Sequence, residues 1–340
     1  MRRSLLILSV VALALAVGCA KSPHSSSVKI YIQQNQIDKA IREGKAWVQD
    51  EPNSPDAHFW LAQAYMRDGQ YVNAADELDK AIELDTEGKV FKKFGEPEKV
   101  TYMNAGLIVK DTNRTKAIHY FEQAHKIDPN DVKVLMTLAA LYGMEGDNQK
   151  MLDYLKKAEN IAPDDPEVLY RIAIAYEQID DFASAEKYLK KAIETDSTMA
   201  KAHYEYGVVL FNEEAYELAA NEFKKAYELD TTDLAALFNW MQALIKTGKY
   251  AEAIELAKIY TEKKPDDPNG WFYLGSMALT YTENPSKDDL NLSVKALSKA
   301  IELKPDNPDY YDIRATAYAK LGQPDKAKAD LQKAKELRGE

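Results

Sequence analysis

Small and aromatic residues recur every 34 positions along most of this chain. Ala158, Ala192 and Ala226 are each 34 apart, and Pro129 and Pro163 keep the same step. A fixed period of this size marks a stack of like units, each of which buries its apolar faces only against its neighbours. Residues 166–199, PEVLYRIAIAYEQIDDFASAEKYLKKAIETDSTM, show most clearly what repeats. Leu169, Ile172, Ala173 and Tyr176 fall at i, i+3, i+4 and i+7, one apolar stripe at helical period. Ala185, Leu189 and Ala192 make a second helix of the same kind. The alanines allow two helices to approach closely, while Tyr176, Phe182 and Leu189 fill the space around them. Prolines, or Thr86, Ser197 and Thr231 in their place, end each second helix, because proline cannot continue one. Beta-branched runs bounded by turn residues are absent, so no sheet is expected.

The unit resembles the tetratricopeptide repeat. That resemblance implies an all-α, right-handed superhelical solenoid of about nine helix-turn-helix units over residues 28–340. The units run at about 24–54, 55–88, 98–131, 132–165, 166–199, 200–233, 234–267, 268–307 and 308–340. The first is degenerate, with Gly44 where a large residue belongs, and suits an N-terminal cap. In the seventh, Met241 replaces the small residue of the first helix, which predicts wider helix packing. Residues 89–97, KVFKKFGEP, are extra and either lengthen the preceding helix or form a loop. A longer loop around TENPSKDD divides the eighth unit, and the lysine-rich end of the ninth suits a capping helix with one face in water.

The N-terminus reads differently. Arg2 and Arg3 precede an apolar stretch, Ser4 to Gly18, too short to span a bilayer comfortably, as in a secretory signal peptide. It ends in Ala16-Val17-Gly18-Cys19, which resembles the lipobox of bacterial lipoproteins, although leucine is commoner at the position of Ala16. The resemblance implies cleavage after residue 18 and a lipid on Cys19. Ala20 rather than aspartate follows, which in Gram-negative lipoproteins favours the outer membrane over the inner. Residues 19–27 would then be the lipidated cysteine and a flexible tether, with the helical body close to the membrane on its periplasmic side. Cys19 is the only cysteine, so the chain forms no internal disulfide.

Composition and motifs exclude several function classes. A net charge of −11, with both signs interspersed, argues against nucleic-acid binding. The chain contains no phosphate-binding G-x-x-x-x-G-K-[ST], no G-x-S-x-G, no H-E-x-x-H and no G-x-G-x-x-G. The five histidines are scattered, and His58 and His203 occupy large-residue positions of first helices as packing residues. No catalytic residue, cofactor, metal or small-molecule substrate is therefore expected, and the chain is not read as an enzyme.

What remains is a surface for partner proteins. In the family resembled, first helices line a concave groove, and the fifth position of each unit points into it. Here that position is Phe59, Tyr102, Met136, Tyr170, Tyr204, Phe238 and Phe272. Ile174, Val208 and Phe211 continue the apolar strip, so the expected partner-binding groove is Tyr102, Met136, Tyr170, Ile174, Tyr204, Val208, Phe211, Phe238 and Phe272. The same aromatics could equally be packing between first helices. Lysine and asparagine, which clamp a peptide C-terminus in one variety of the family, are absent from the fifth and ninth positions of units 2–9, so apolar anchors of a helix or extended segment fit better. The resemblance implies a membrane-anchored scaffold or adaptor in the bacterial cell envelope, assisting assembly of a machine of the pilus-secretin or barrel-assembly kind. The alternative is a regulatory or targeting subunit of an envelope enzyme such as a glycosyltransferase or peptidoglycan hydrolase.

Overall fold

Most repeats start at a capping side chain. Asp131, Asp165, Asp233 and Asp267 stand one or two periods apart, and each carboxylate accepts hydrogen bonds from backbone N–H groups of the helix that follows. Such a cap contributes about 1 kcal/mol by satisfying donors that no helical carbonyl can reach. Between the two helices of a repeat the chain turns through one residue in the left-handed region. Gly146, Asp180, Glu214 and Gly248 hold that place at successive 34-residue steps, with φ of 80°, 60°, 62° and 75°. Glycine takes this conformation without steric cost, while Asp180 and Glu214 adopt it under strain.

The computed structural model describes residues 22–281 and 284–339. Among them are eighteen α-helices, one 3-10 turn and no strand. The first helices of the nine pairs are α1 (Pro23–Gln33), α3 (Pro55–Arg67), α5 (Glu96–Val109), α7 (Val132–Met144), α9 (Pro166–Gln178), α11 (Ala200–Asn212), α13 (Leu234–Lys246), α15 (Pro268–Thr280) and α17 (Pro308–Lys320). Their second helices are α2 (Ile37–Asp50), α4 (Tyr71–Leu84), α6 (Arg114–Ile127), α8 (Asn148–Ile161), α10 (Phe182–Thr195), α12 (Tyr216–Leu229), α14 (Tyr250–Lys263), α16 (Lys287–Leu303) and α18 (Pro324–Arg338). The chain divides into two compact units at Pro163 and Asp164, the first with four pairs and the second with five.

In the first unit a continuous core runs through Phe59, Leu78, Tyr102, Phe121, Leu138 and Tyr142. In the second, Phe223, Leu237, Met241, Leu244, Ile254 and Leu274 form the largest cluster. Inside a pair, two positions sixteen residues apart exchange size. Gly207 faces Phe223, so closely that a Cβ on Gly207 would lie 2.7 Å from the ring; Gly275 meets Leu297 in the same way, twenty-two residues on because the longer loop of that pair intervenes. One period after Gly207 and Phe223 stand Met241 and Ala257, large and small reversed, both fully buried in one cluster. Met241 therefore does not enforce looser packing, because the volume it adds is removed at Ala257. The first pair follows the reversed pattern, with Val28 fully buried and Gly44 sixteen residues on, its Cα side against Leu61. A Cβ on Gly44 would lie 3.1 Å from Leu61 of α3, so a small residue here lets the next pair approach.

Three histidines tie first to second helices. Nδ1 of His24, His58 and His203 lies 2.8, 2.6 and 2.7 Å from Glu43, Glu77 and Glu222, each nineteen residues on. Residues 23–27, expected in a tether, are instead the first turns of α1, held by this contact of His24 and by the burial of Ser25 and Val28. The extra residues 89–97 form a loop with a 3-10 turn at Phe91–Lys93. Val90 is buried under it, and Phe94 stacks on Phe59 with centroids 6.1 Å apart. Phe182, expected to fill space between helices, is substantially exposed.

Candidate functional site

The two compact units place the expected groove residues differently. In the first, Tyr102 is fully buried. Its hydroxyl donates to Asp79 on α4 at 2.9 Å, and its ring lies 6.1 Å from that of Tyr120. It is a core residue and offers a partner nothing, which corrects the expectation for this position. Phe59 is likewise buried, under Phe94. Met136 is half-buried on α7.

In the second unit the expected residues are half-buried on α9, α11, α13 and α15, and they separate into two groups. Phe238 is wedged between Tyr260 and Tyr273 at 5.3 and 5.5 Å, and Phe272 between Tyr273 and Tyr310 at 5.5 and 5.1 Å. These two act mainly as spacers between successive helices, as the packing alternative anticipates. Tyr204 packs 5.8 Å from Phe223, and its hydroxyl accepts a hydrogen bond from Asn239 at 3.1 Å. Val208 and Phe211 are open to a cleft of about 240 Å³ lined also by Asn212, Phe223, Asn239 and Gln242. The floor is apolar and aromatic. Three side-chain amides, Asn212, Asn239 and Gln242, stand around it, each able to donate and accept. That combination suits a side chain entering the cleft and a backbone passing over it.

One helix earlier, Tyr170, Ile174 and Glu177 stand at i, i+4 and i+7 on α9, and Glu205, Val208 and Asn212 at i, i+3 and i+7 on α11. Tyr170 carries the Lys201 ammonium 4.5 Å from its ring centroid and hydrogen-bonds through its hydroxyl to Glu205. Lys201 and Arg171 both pair with Glu167. Glu177 and Glu205 have no lysine or arginine partner among the described residues, and Oε1 of Glu177 is buried with no hydrogen-bond donor. Burial, together with the charge of Glu205, pushes the Glu177 carboxyl up to about 7. Burial raises Glu205 as well, against the opposing effect of the Tyr170 hydroxyl. Tyr170 is raised to about 12, chiefly by burial and then by Glu205.

The amides and the two carboxyls are candidate residues that the sequence reading missed. The signal was present at the 34-residue step: Arg171, Glu205, Asn239 and Tyr273 form one row, and Ile174, Val208, Gln242 and Ser276 another. An apolar search passes over both, because each row changes from charged or apolar to amide midway. Cys19, the expected lipidation residue, lies outside the described residues. Among those described, no group of three or more His, Cys, Asp or Glu is placed to hold a metal ion, and no helix is long and apolar enough to cross a membrane.

Comparison with known proteins bears on the repeat itself. Residues 169–338 match the family described as the middle TPR-like domain of cilia and flagella-associated protein 70. Residues 28–88 match a tetratricopeptide repeat family. The chain belongs to the tetratricopeptide repeat family. Comparison with curated proteins finds no match. Among solved structures, this tetratricopeptide repeat chain is similar to YrrB, described as a TPR protein with an unusual peptide-binding site, at 21% identity and a TM-score of 0.50 over 55% of this chain and 93% of that one. It is also similar to a tetratricopeptide repeat protein of Parabacteroides merdae, at 17% identity and a TM-score of 0.47 over 77% and 98% of the two chains. A third is pilF of Pseudomonas aeruginosa, at 17% identity and a TM-score of 0.46 over 61% and 91%. The YrrB likeness agrees with the fold of stacked helix pairs. As a member of a repeat family of this kind, the chain provides a surface for protein–protein interaction.

Proposed function

We propose that this chain is an envelope scaffold that captures an extended or helical segment of a partner protein on its first-helix face, in a concave groove whose working part is the Val208–Phe211 cleft. The observation that carries this reading is the pairing of an apolar floor with three amides over Phe223. Apolar side chains supply affinity by leaving water, and amides satisfy the backbone that arrives with them. YrrB, which has the same fold, is described as binding peptides, so the fold is compatible with such capture. A partner held by apolar anchors at this cleft should bind at least tenfold more weakly to Phe211→Ala, with helicity by circular dichroism unchanged. If binding is unaffected, the cleft is not the contact surface.

The second part of the proposal concerns place. The order Arg2-Arg3, apolar stretch, then Ala16-Val17-Gly18-Cys19 supports removal of residues 1–18 and lipidation of Cys19. The helical body would then face the periplasm from the outer membrane and act in assembly of an envelope machine. Because α1 starts at Pro23, only residues 20–22 separate it from Cys19, which would keep the repeats at the membrane surface. Cys19→Ser is expected to abolish incorporation of radiolabelled palmitate and to release the protein from the membrane fraction; retention would refute the anchor.

A further inference from the structure

The cleft occupies only part of the face that leads to it, and the chemistry beside it indicates what kind of segment it takes. This inference rests on the capture reading above and makes it more specific. Glu205, Val208 and Asn212 share one face of α11, so the Glu205 carboxyl stands about one helical turn from the cleft wall. Glu177 stands on the neighbouring first helix, on the face that carries Tyr170 and Ile174. The nearby cations are already engaged: Arg171 pairs with Glu167, and Lys201 pairs with Glu167 while covering the Tyr170 ring. Glu177 Oε1 is left buried without a donor. A buried carboxylate oxygen without a donor is rare and unfavourable, and the usual remedy is an N–H group or a cation. No described residue supplies one.

We propose that this face selects partner segments in which a lysine or arginine lies two to four residues from a large apolar side chain, the apolar side chain entering the Val208–Phe211 cleft and the cation bridging Glu177 and Glu205. The spacing follows from the scaffold. Adjacent helix axes lie about 8–10 Å apart, and an extended chain advances about 3.3 Å per residue, so roughly three residues separate the two contacts. A guanidinium suits the site best, since its planar fork can serve two carboxylates at once. Discrimination comes from both signs: a cation relieves the repulsion between two carboxyls, whereas an acidic residue would add a third charge to them. The overall charge of −11 favours approach of the same class of segment.

The probe is a set of capped dodecapeptides in a Gly/Ser/Ala background, each with one phenylalanine or leucine and with arginine, glutamine or glutamate at one to five positions from it. They are titrated against the intact chain. Arginine peptides should bind at least tenfold tighter than glutamate peptides, with the greatest difference at two to four positions. In the double variant Glu177→Gln, Glu205→Gln that preference should fall below about twofold, while affinity for the glutamine peptides stays unchanged. The proposal is overturned if charge makes no difference, or if the arginine preference survives the double substitution. Failure of the underlying capture reading would look different: no peptide of any charge would show binding that depends on Phe211.

Discussion

Glu177 is a residue at which folding and binding pull in opposite directions. Its carboxyl titrates at about 7 in the folded chain against an ordinary value of 4.5. The folded state therefore holds this proton more tightly than the unfolded state. The resulting contribution to stability is complete below the ordinary glutamate range and is lost as pH rises through about 7. Glu177→Gln, which keeps the shape and removes the titration, should unfold at a higher urea concentration than the native chain at pH 8. The gain should be on the order of 1 kcal/mol after allowance for solvent screening of a half-buried group. It should shrink towards zero at pH 4. A variant with the same pH dependence as the native chain would show that Glu177 is not the strained group. Tyr102 shows the reverse case, a residue at a recognised groove position that proves to be core. At one repeat position the family pattern does not distinguish Tyr102 from Tyr170, because burial there is set by what the neighbouring helices place against the ring. At Tyr102 the preceding repeat supplies Asp79, which accepts a hydrogen bond from the hydroxyl, and Tyr120 lies 6.1 Å from the ring.

At the scale of the helix pair, size is shared between two positions. Gly207 and Phe223 fit as small against large, so Gly207→Ala forces the ring to move and should destabilise the chain by about 1–3 kcal/mol. Phe223→Leu copies the pair formed by Ala173 and Leu189 and should recover most of that loss. A double-mutant cycle on urea midpoints tests the coupling, and simple additivity would refute it. The period and the paired helices were legible in the sequence, because alanines and helix-ending prolines recur at fixed steps, whereas the start of α1 at Pro23 was not. The exchange at Met241 and Ala257 was not, since a search for one residue type per position reads a reversed pair as a defect. For the candidate site, Val208 and Phe211 were legible as apolar positions, whereas Asn239, Gln242, Glu177 and Glu205 acquire meaning only when three helices are set side by side.

At the scale of the molecule, the second compact unit contains five helix pairs, its own apolar clusters and the whole of the candidate site. At least three stacked repeats are needed to bury a continuous core, so five are sufficient. Residues 164–340 expressed alone should therefore melt cooperatively and retain the peptide preference of the intact chain. A fragment that is helical but melts without cooperativity would show that the second unit relies on residues before 164. The size exchange also bears on how such an array can change over generations. A recombination event that joins whole repeats, cut at the caps such as Asp165 or Asp233, carries both members of each exchanged pair together. A cut inside a repeat, at the turn near Glu214, would place Gly207 before Ala257 and leave a void, or Met241 before Phe223 and create a clash. Breakpoints that exchange one helix of a pair for another are thus disfavoured, whereas extra loop residues such as 89–97 leave both members of every exchanged pair in place.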